Sequence, residues 1–379
     1  MIPGAAFGQE AVRLGIYRYA RPNRPWDFLN LDFGPTAYEQ ARHWQPHGGI
    51  GRAGRADLTA AARSLRIPFV NLYGGTPFDP KLAQVGVDNR AIGRTGATYL
   101  ADLGFKHFAY FGLRNDPASD DRGRAFVEAL KERGLNADVI DYAKTYPDVN
   151  VSAPFIQPEE HILHRWLSQL PRPVGIFVCD DRRALLVSEA CRHLNMNVPE
   201  EAAILGTGDH EVLCFEAYPP ISSIQLPLEQ EGFRAAELLD HLMRGKKAPG
   251  QAILLPPVGV TVRQSTDTLA VSDAQVAAAL QFIRENACRG IEVNTVARHA
   301  GLNRRYLERR FRAFIQRSPF QEIRRVQMER VKDLLAQTDL TIDAIAEQSG
   351  FGSRTRLTVE FSKHLGVAPG AYRKQFRHR

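Results

Sequence analysis

Between residues 12 and 265, short apolar runs alternate with amphipathic stretches. IPFVNLYGG (67–75), HFAYFG (107–112), VGIFVCDD (174–181) and AAILGTG (202–208) read as strands, while residues 92–103, 123–133 and 184–194 carry apolar positions at helical spacing. Strand-length apolar runs, each followed by an amphipathic helix, predict a parallel sheet with helices on both faces. Ligands of such sheets sit beyond the carboxyl ends of the strands, so polar residues at those ends are the candidate site.

From residue 274 the period becomes helical throughout. Residues 274–288 place Val276, Leu280 and Ile283 on one face, with Ser272 as a possible cap. Val293, Val296 and Ala297 then form the inner face of a short helix, Gly301 supplies a turn, and a helix from Asn303 turns Leu307 and Phe311 inward. Short helix, glycine turn and longer helix describe a helix-turn-helix. After Ser318-Pro319, a third stripe (Ile323, Val326, Val331, Leu334, Leu335) runs to Thr338, and the unit recurs. ARHAGLNRRYLERRF is followed by AEQSGFGSRTRLTVEF, and the two read as one pattern with alanine, glycine, leucine and phenylalanine in register. In the copy, Ile342, Ile345 and Ala346 pack inward, Gly350 turns, and Leu357 and Phe361 anchor the second helix.

Charge sharpens this division. The chain of 379 residues carries +7 overall. Residues 271–379 hold 20 Lys and Arg against 11 Asp and Glu, a net +9, which leaves the preceding 270 residues at −2. A basic tail on a near-neutral body predicts a nucleic-acid partner for the tail. The polar positions between the apolar anchors then become candidate DNA contacts. They are Arg304, Arg305, Glu308 and Arg309 on the first recognition helix, and Ser353, Arg354, Thr355, Arg356 and Thr358 on the second. Arginine pairs bidentately with guanine, glutamate accepts from cytosine, and threonine touches a thymine methyl. The competing reading for each is a solvated, charged helix face.

Composition excludes several other classes. Hydrophobic content of 44% and charged content of 24% describe an ordinary globular chain. No stretch approaches the roughly 20 apolar residues of a membrane span, and the first residues lack the basic segment and apolar core of a signal peptide. The four cysteines show no CxxC and no paired Cys/His spacing, which predicts no metal and no disulfide framework, and fits a reducing cytoplasm.

Two resemblances follow from these motifs. Ile345–Phe351 spells I-A-x-x-x-G-F and residues 361–373 spell F-x-K-x-x-G-x-x-P-x-x-Y-R, a signature that resembles the DNA-binding domain of AraC-family regulators. Upstream, QVGVDNRAIGRTGATYLADLGFKHFAYFG is similar to the V-x-x-D-N…A-x-x-L-x-x-x-G hallmark of LacI-type regulators and type I periplasmic sugar-binding proteins. DDRGRAFVEALKERG and VCDDRRALLVSEACRHLNMNVPEEAAILG resemble the stretches that follow it. The order of parts is similar to AraC-type regulators of xylose operons.

The resemblance implies a two-lobed α/β sugar sensor over residues 1–265, a linker at 266–272, and an all-α double helix-turn-helix domain over 273–379. It implies sugar hydroxyls bound by Asp88, Arg122, Asp180 and Asp181, with Asp209 as the acid that stands one position late in the G-x-D turn. For the aspartates the competing role is a helix cap. It further implies a homodimeric, cytoplasmic transcription activator without cofactor, metal or membrane attachment. Its partners are double-stranded operator DNA, RNA polymerase and a sugar effector, D-xylose or a related pentose. The sensor fold should open on a strand lining the cleft. This chain starts in what reads as the first helix, AFGQEAVRLGIYRY, so the first strand is expected to be missing.

Two other classes compete. A cysteine-dependent hydrolase would place Cys179 at a nucleophile elbow. Its neighbours Val178, Asp180 and Asp181 are bulky or acidic, however, where such a turn wants small residues and a low thiol pKa. A transport-type sugar-binding protein would not carry a duplicated helix-turn-helix.

Overall fold

The computed structural model describes residues 2–3, 9–23, 26–31, 40, 43–51, 66–73, 83–113, 116–135, 140–141, 160–267, 273–315 and 317–376. The chain divides into two compact units, Met1–Thr268 and Leu269–Arg379. Ser272, the possible cap, lies outside the described residues. Asp273 caps the Ala274–Asn286 helix instead, accepting from the amides of Gln275 (3.0 Å) and Val276 (3.2 Å).

The first unit contains two main sheets. Strands β3 (Gly49–Gly51), β4 (Phe69–Tyr73), β5 (Ala83–Val87) and β11 (Ile253–Leu255) form a four-stranded parallel sheet in the order β11-β5-β4-β3. Strands β6 (His107–Phe111), β7 (Ile140–Asp141), β8 (Val174–Val178), β9 (Ala202–Gly208), β10 (Ser222–Gln225) and β12 (Gly259–Thr261) form the second, ordered β12-β10-β9-β8-β6-β7. All pairs of the second sheet are parallel except the edge pair of β10 with β12. β5 and β8 are buried along their whole length, as strands covered by helices on both faces must be.

A strand does precede the first helix, contrary to the sequence expectation. Ile2–Pro3 (β1) pairs in parallel with Asn30–Leu31 (β2) ahead of the Gln9–Asn23 helix. Two residues are too few to show a period of two, so the sequence pattern carries no sign of it. A second correction concerns the helix expected over 123–133. It begins at Pro117, because Asp116 accepts from the amides of Ala118 (2.8 Å) and Ser119 (3.2 Å) and proline occupies the first turn. The polar PASDD opening hides this turn from an apolar count.

In the second unit the two helix-turn-helix cores are separate clusters joined by one helix, Pro319–Gln337. Its N-terminal half supplies Ile323 and Val326 to the first core, with Val276, Leu280, Val296, Leu307 and Phe311. Its C-terminal half supplies Met328, Val331, Leu334 and Leu335 to the second, with Ile345, Phe351, Leu357 and Phe361. The two repeats are not in register through the turn. The first recognition helix starts at Arg304, three residues after Gly301; the second starts at Arg354, four after Gly350. The extra residue is absorbed by Gly352, a second left-handed glycine at φ +75°.

The turn at Gly350 is also a packing constraint. A Cβ there would lie 2.7 Å from Gln327 Nε2 and 2.8 Å from the Ala287 carbonyl oxygen. Gln327, on the connecting helix and buried, donates to the carbonyls of Ala287 (2.7 Å) and Gly350 (3.2 Å). One amide thereby ties the end of the first helix of the domain to the second turn.

Candidate functional site

On the first recognition helix, Arg304–Ile315, the apolar residues Leu307, Phe311 and Ile315 are buried. Arg304, Arg305 and Arg309 are exposed and Glu308 is half-buried. Arg304 Nε pairs with Glu308 Oε1 at 2.9 Å along the helix, and Arg309 stacks over the Tyr306 ring at 4.6 Å. Arg305 makes no ion pair among the described residues. Arg310, which the sequence reading did not select, faces inward instead, with its guanidinium on Asp273 (2.7 Å) and Gln275 (2.8 Å). This closes the cap of the first helix and leaves Arg310 unsuited to reach DNA.

The second recognition helix, Arg354–Leu365, presents Arg354, Thr355 and Arg356, all exposed, with Thr358 half-buried. Ser353 precedes it as the N-cap, its hydroxyl accepting from the Arg356 amide at 3.4 Å. Arg354 lies 3.7 Å from Asp343, but both side chains are about two-thirds exposed; such a pair is screened and easily exchanged for another partner. Arg324 is a cation that sequence reading missed. It stands on the connecting helix between the rings of Phe320 (5.1 Å) and Phe351 (4.9 Å). Partial burial pushes its pKa down, and the nearby Arg356 charge adds to this. Arg324 and Arg356, from two elements, thus stand near enough for their charges to act on each other, and the apolar stripe gave no hint of Arg324.

In the first unit, the four predicted aspartates stand where a strand ends or a helix starts, and Arg122 lies in the second turn of the Pro117–Glu132 helix. They fall into two groups. Asp88, after β5, caps the Asn89–Asp102 helix by accepting from the Ala91 amide at 2.9 Å. Arg122 donates through Nε to Asn89 Oδ1 (2.9 Å) and through Nη1 to the carbonyl of Cys179 (2.5 Å). Arg122 therefore links the helix after β5 to the end of β8, and Asp180 is the next residue. Asp180 caps the Asp181–His193 helix and ion-pairs with Arg183. Asn89 was missed, although it is the second letter of the D-N motif. It is buried, and its Nδ2 has no hydrogen-bond partner among the described residues.

The second group is Asp181 and Asp209, joined through Ser223. Asp181 is 2% exposed and accepts from Ser223 Oγ (2.5 Å) and the His210 amide (2.7 Å). Burial raises its pKa, and those two hydrogen bonds oppose the rise. Space for the carboxylate comes from β9, where a Cβ on Gly206 would sit 2.4 Å from Asp181 Oδ1. Asp209 takes a left-handed φ of +56°, pairs with Arg263 at 2.8 Å and accepts from Thr261 Oγ1 at 2.6 Å. Its amide donates to Ser223 Oγ at 3.0 Å.

Cys179 does not have the setting of a nucleophile. It is 3% exposed, and burial with the adjacent Asp180 charge pushes the thiol pKa far up. Catalytic thiols need the opposite shift. At neutral pH, Cys179 is expected to alkylate far more slowly than a free thiol; rapid selective labelling would contradict its burial.

Comparison with known proteins agrees with this two-part layout. Residues 97–266 match a family described as periplasmic binding protein-like domain, and residues 296–375 match a helix-turn-helix domain. The chain is 31% identical over 304 residues to the xylose operon regulatory protein of Haemophilus influenzae, covering 79% of this chain and 77% of that protein. It is 28% identical over 376 residues to the xylose operon regulatory protein of Escherichia coli K12, covering 97% and 94%. The solved structure of a xylose-binding transcription activator aligns over 100% of this chain and 98% of its own, with a TM-score of 0.80 at 26% identity. Fold and site thus define a DNA-binding transcription regulator with a periplasmic-binding-protein-like sensor and a double helix-turn-helix. Within that class, the chain belongs to the family of the xylose operon regulatory proteins. Among the described residues no helix is long and apolar enough to cross a membrane.

Proposed function

We propose that the chain is a cytoplasmic, sugar-responsive activator of a catabolic operon, with D-xylose or a related pentose as its effector. The observation that carries this reading is the joining, in one chain, of an exposed arginine face on each of two recognition helices to a sensor whose polar residues gather at strand ends. Asp88, Asp180, Asp181 and Asp209 supply carboxylates, each able to accept from two hydroxyls, and Arg122 supplies a donor fork. The relatives named for xylose favour that sugar first. A few carboxylates and one guanidinium suit the hydroxyls of many sugars, so the pentose is chosen by similarity and not by chemistry alone.

In this reading sugar closes the two lobes and changes how two sensors pair in a homodimer. The paired DNA-binding domains then occupy adjacent half-sites and recruit RNA polymerase. The effector contributes only its difference in affinity between the open and closed forms. Saturating D-xylose is expected to change operator affinity by about 5- to 150-fold, the usual range of such couplings. Fluorescence anisotropy of labelled operator DNA measures it. Unchanged affinity removes xylose as the effector, and calorimetry across pentoses and hexoses then decides whether another sugar takes its place.

A further inference from the structure

The chain leaves the first unit through a segment held by an unusual concentration of buried hydroxyls. Ser222, Ser223, Ser265 and Thr266 are all essentially inaccessible. Ser222 and Ser223 are neighbours on β10, and adjacent strand residues face opposite sides of a sheet. Ser223 serves the ligand side, binding Asp181 and the Asp209 amide. Ser222 serves the exit side: its Oγ donates to the Arg263 carbonyl (2.9 Å) and accepts from the Arg263 amide (2.7 Å) and Thr266 Oγ1 (2.6 Å). Ser265 Oγ accepts from the Ser222 amide (2.8 Å) and donates to the Ile204 carbonyl on β9 (2.6 Å).

Arg263 closes the circuit. Its backbone is bound to Ser222, while its guanidinium pairs with Asp209 (2.8 Å) and donates to the Ile221 carbonyl (3.0 Å). The other side of the candidate site arrives through Tyr99, on the helix that Asp88 caps, whose hydroxyl bonds Thr266 Oγ1 at 2.7 Å. Each of these serine, threonine and tyrosine hydroxyls is hydrogen-bonded, and in a low-dielectric interior such bonds are strong but intolerant of a missing partner. The first unit ends at Thr268, immediately beyond it.

We propose that Arg263 and Thr266 are the positioning residues through which occupancy of the effector site reaches the DNA-binding unit. A sugar hydroxyl donating to Asp209 or Asp181 competes for the carboxylate lone pairs now held by Arg263 and Ser223. Each competition loosens the hold of β10 on residues 263–266. The proposal rests on the sugar-sensing reading above, and its test separates the two.

The full-length Thr266→Val and Tyr99→Phe variants each remove one hydroxyl away from the candidate ligand residues. Both are expected to bind D-xylose within about twofold of wild type. The sugar-dependent ratio of operator dissociation constants should fall at least about fivefold, a loss within the usual span of allosteric coupling. Tyr99→Phe, which loses only the outermost hydroxyl, carries the test if Thr266→Val does not fold. An unchanged ratio in a folded variant overturns the proposal, because a purely structural staple would alter stability and not coupling. The Asp209→Asn variant supplies a readout without sugar: amide exchange over residues 263–267 should accelerate about tenfold while β6 and β8 stay protected. No acceleration also overturns it. If D-xylose leaves wild-type DNA affinity unchanged, the xylose reading fails, and the exchange measurement decides the network by itself.

Discussion

Replacing Phe361 with alanine is expected to destabilise the second helix-turn-helix unit by about 3–5 kcal/mol. Phe361 is fully buried, packs edge-on to Tyr372 at 5.4 Å, and touches the core built from Met328, Val331, Leu334, Leu335, Ile345 and Phe351. A domain holds roughly 5–15 kcal/mol in total, so this loss is a large share of its stability. The two cores share the Pro319–Gln337 helix but divide its residues between them. Amide exchange should therefore rise sharply in Arg354–Leu365 and remain slow in Arg304–Ile315. Footprinting should correspondingly lose one of two contacted segments. Equal loss of protection in both recognition helices would mean that the connecting helix welds the cores into one cooperative unit. The Gln327 amide, which joins the two ends, is then the first place to look.

The separateness of these cores bears on what a sequence reveals. The anchors Leu307, Phe311, Leu357 and Phe361 were legible because a half-buried helix must repeat its apolar residues at its own period. Strand-length apolar runs likewise located β4, β6, β8 and β9 in the sensor, while the two- to three-residue strands at its edges left no such mark. What stayed hidden has a common physical character. Asp116-Pro117 starts its helix by capping, without any apolar signal. Gln327, Ser222, Ser223, Ser265 and Thr266 are polar residues whose burial depends on partners far away in the chain.

The candidate ligand residues illustrate the same limit within one motif. Asp180 and Asp181 are adjacent in sequence and equally acidic. Asp180 is partly open and engages Arg183, whereas Asp181 is enclosed by Ser223, the His210 amide and the space left by Gly206. Only the fold tells them apart, because the enclosing groups lie on two other segments, the end of β9 and β10. Strand-end position was enough to find both residues but not to assign them different environments.

The arginines on the recognition helices allow the sharpest separation of roles. Arg305→Ala and Arg356→Ala are each expected to weaken operator binding by about 1–3 kcal/mol if the guanidinium reads a base. They lie on different helices in different cores, so the losses should add to about 2–6 kcal/mol, or about 30- to 25,000-fold in the double variant. Lysine at each position distinguishes the two modes of contact. A phosphate contact needs only the charge, so lysine should restore affinity, while alanine should lower the salt slope by about one. A bidentate base contact needs the planar fork, so lysine should fail as alanine does, and discrimination at one base pair should vanish. Arg310→Ala is the structural control: its guanidinium is committed to Asp273 and Gln275, so it should reduce stability without changing base preference. Full operator affinity in the Arg305→Ala/Arg356→Ala double variant would remove these two side chains from the interface. Arg304, Arg309 and Arg354 would then be the recognition-helix arginines left to contact DNA, each after giving up the partner it now holds.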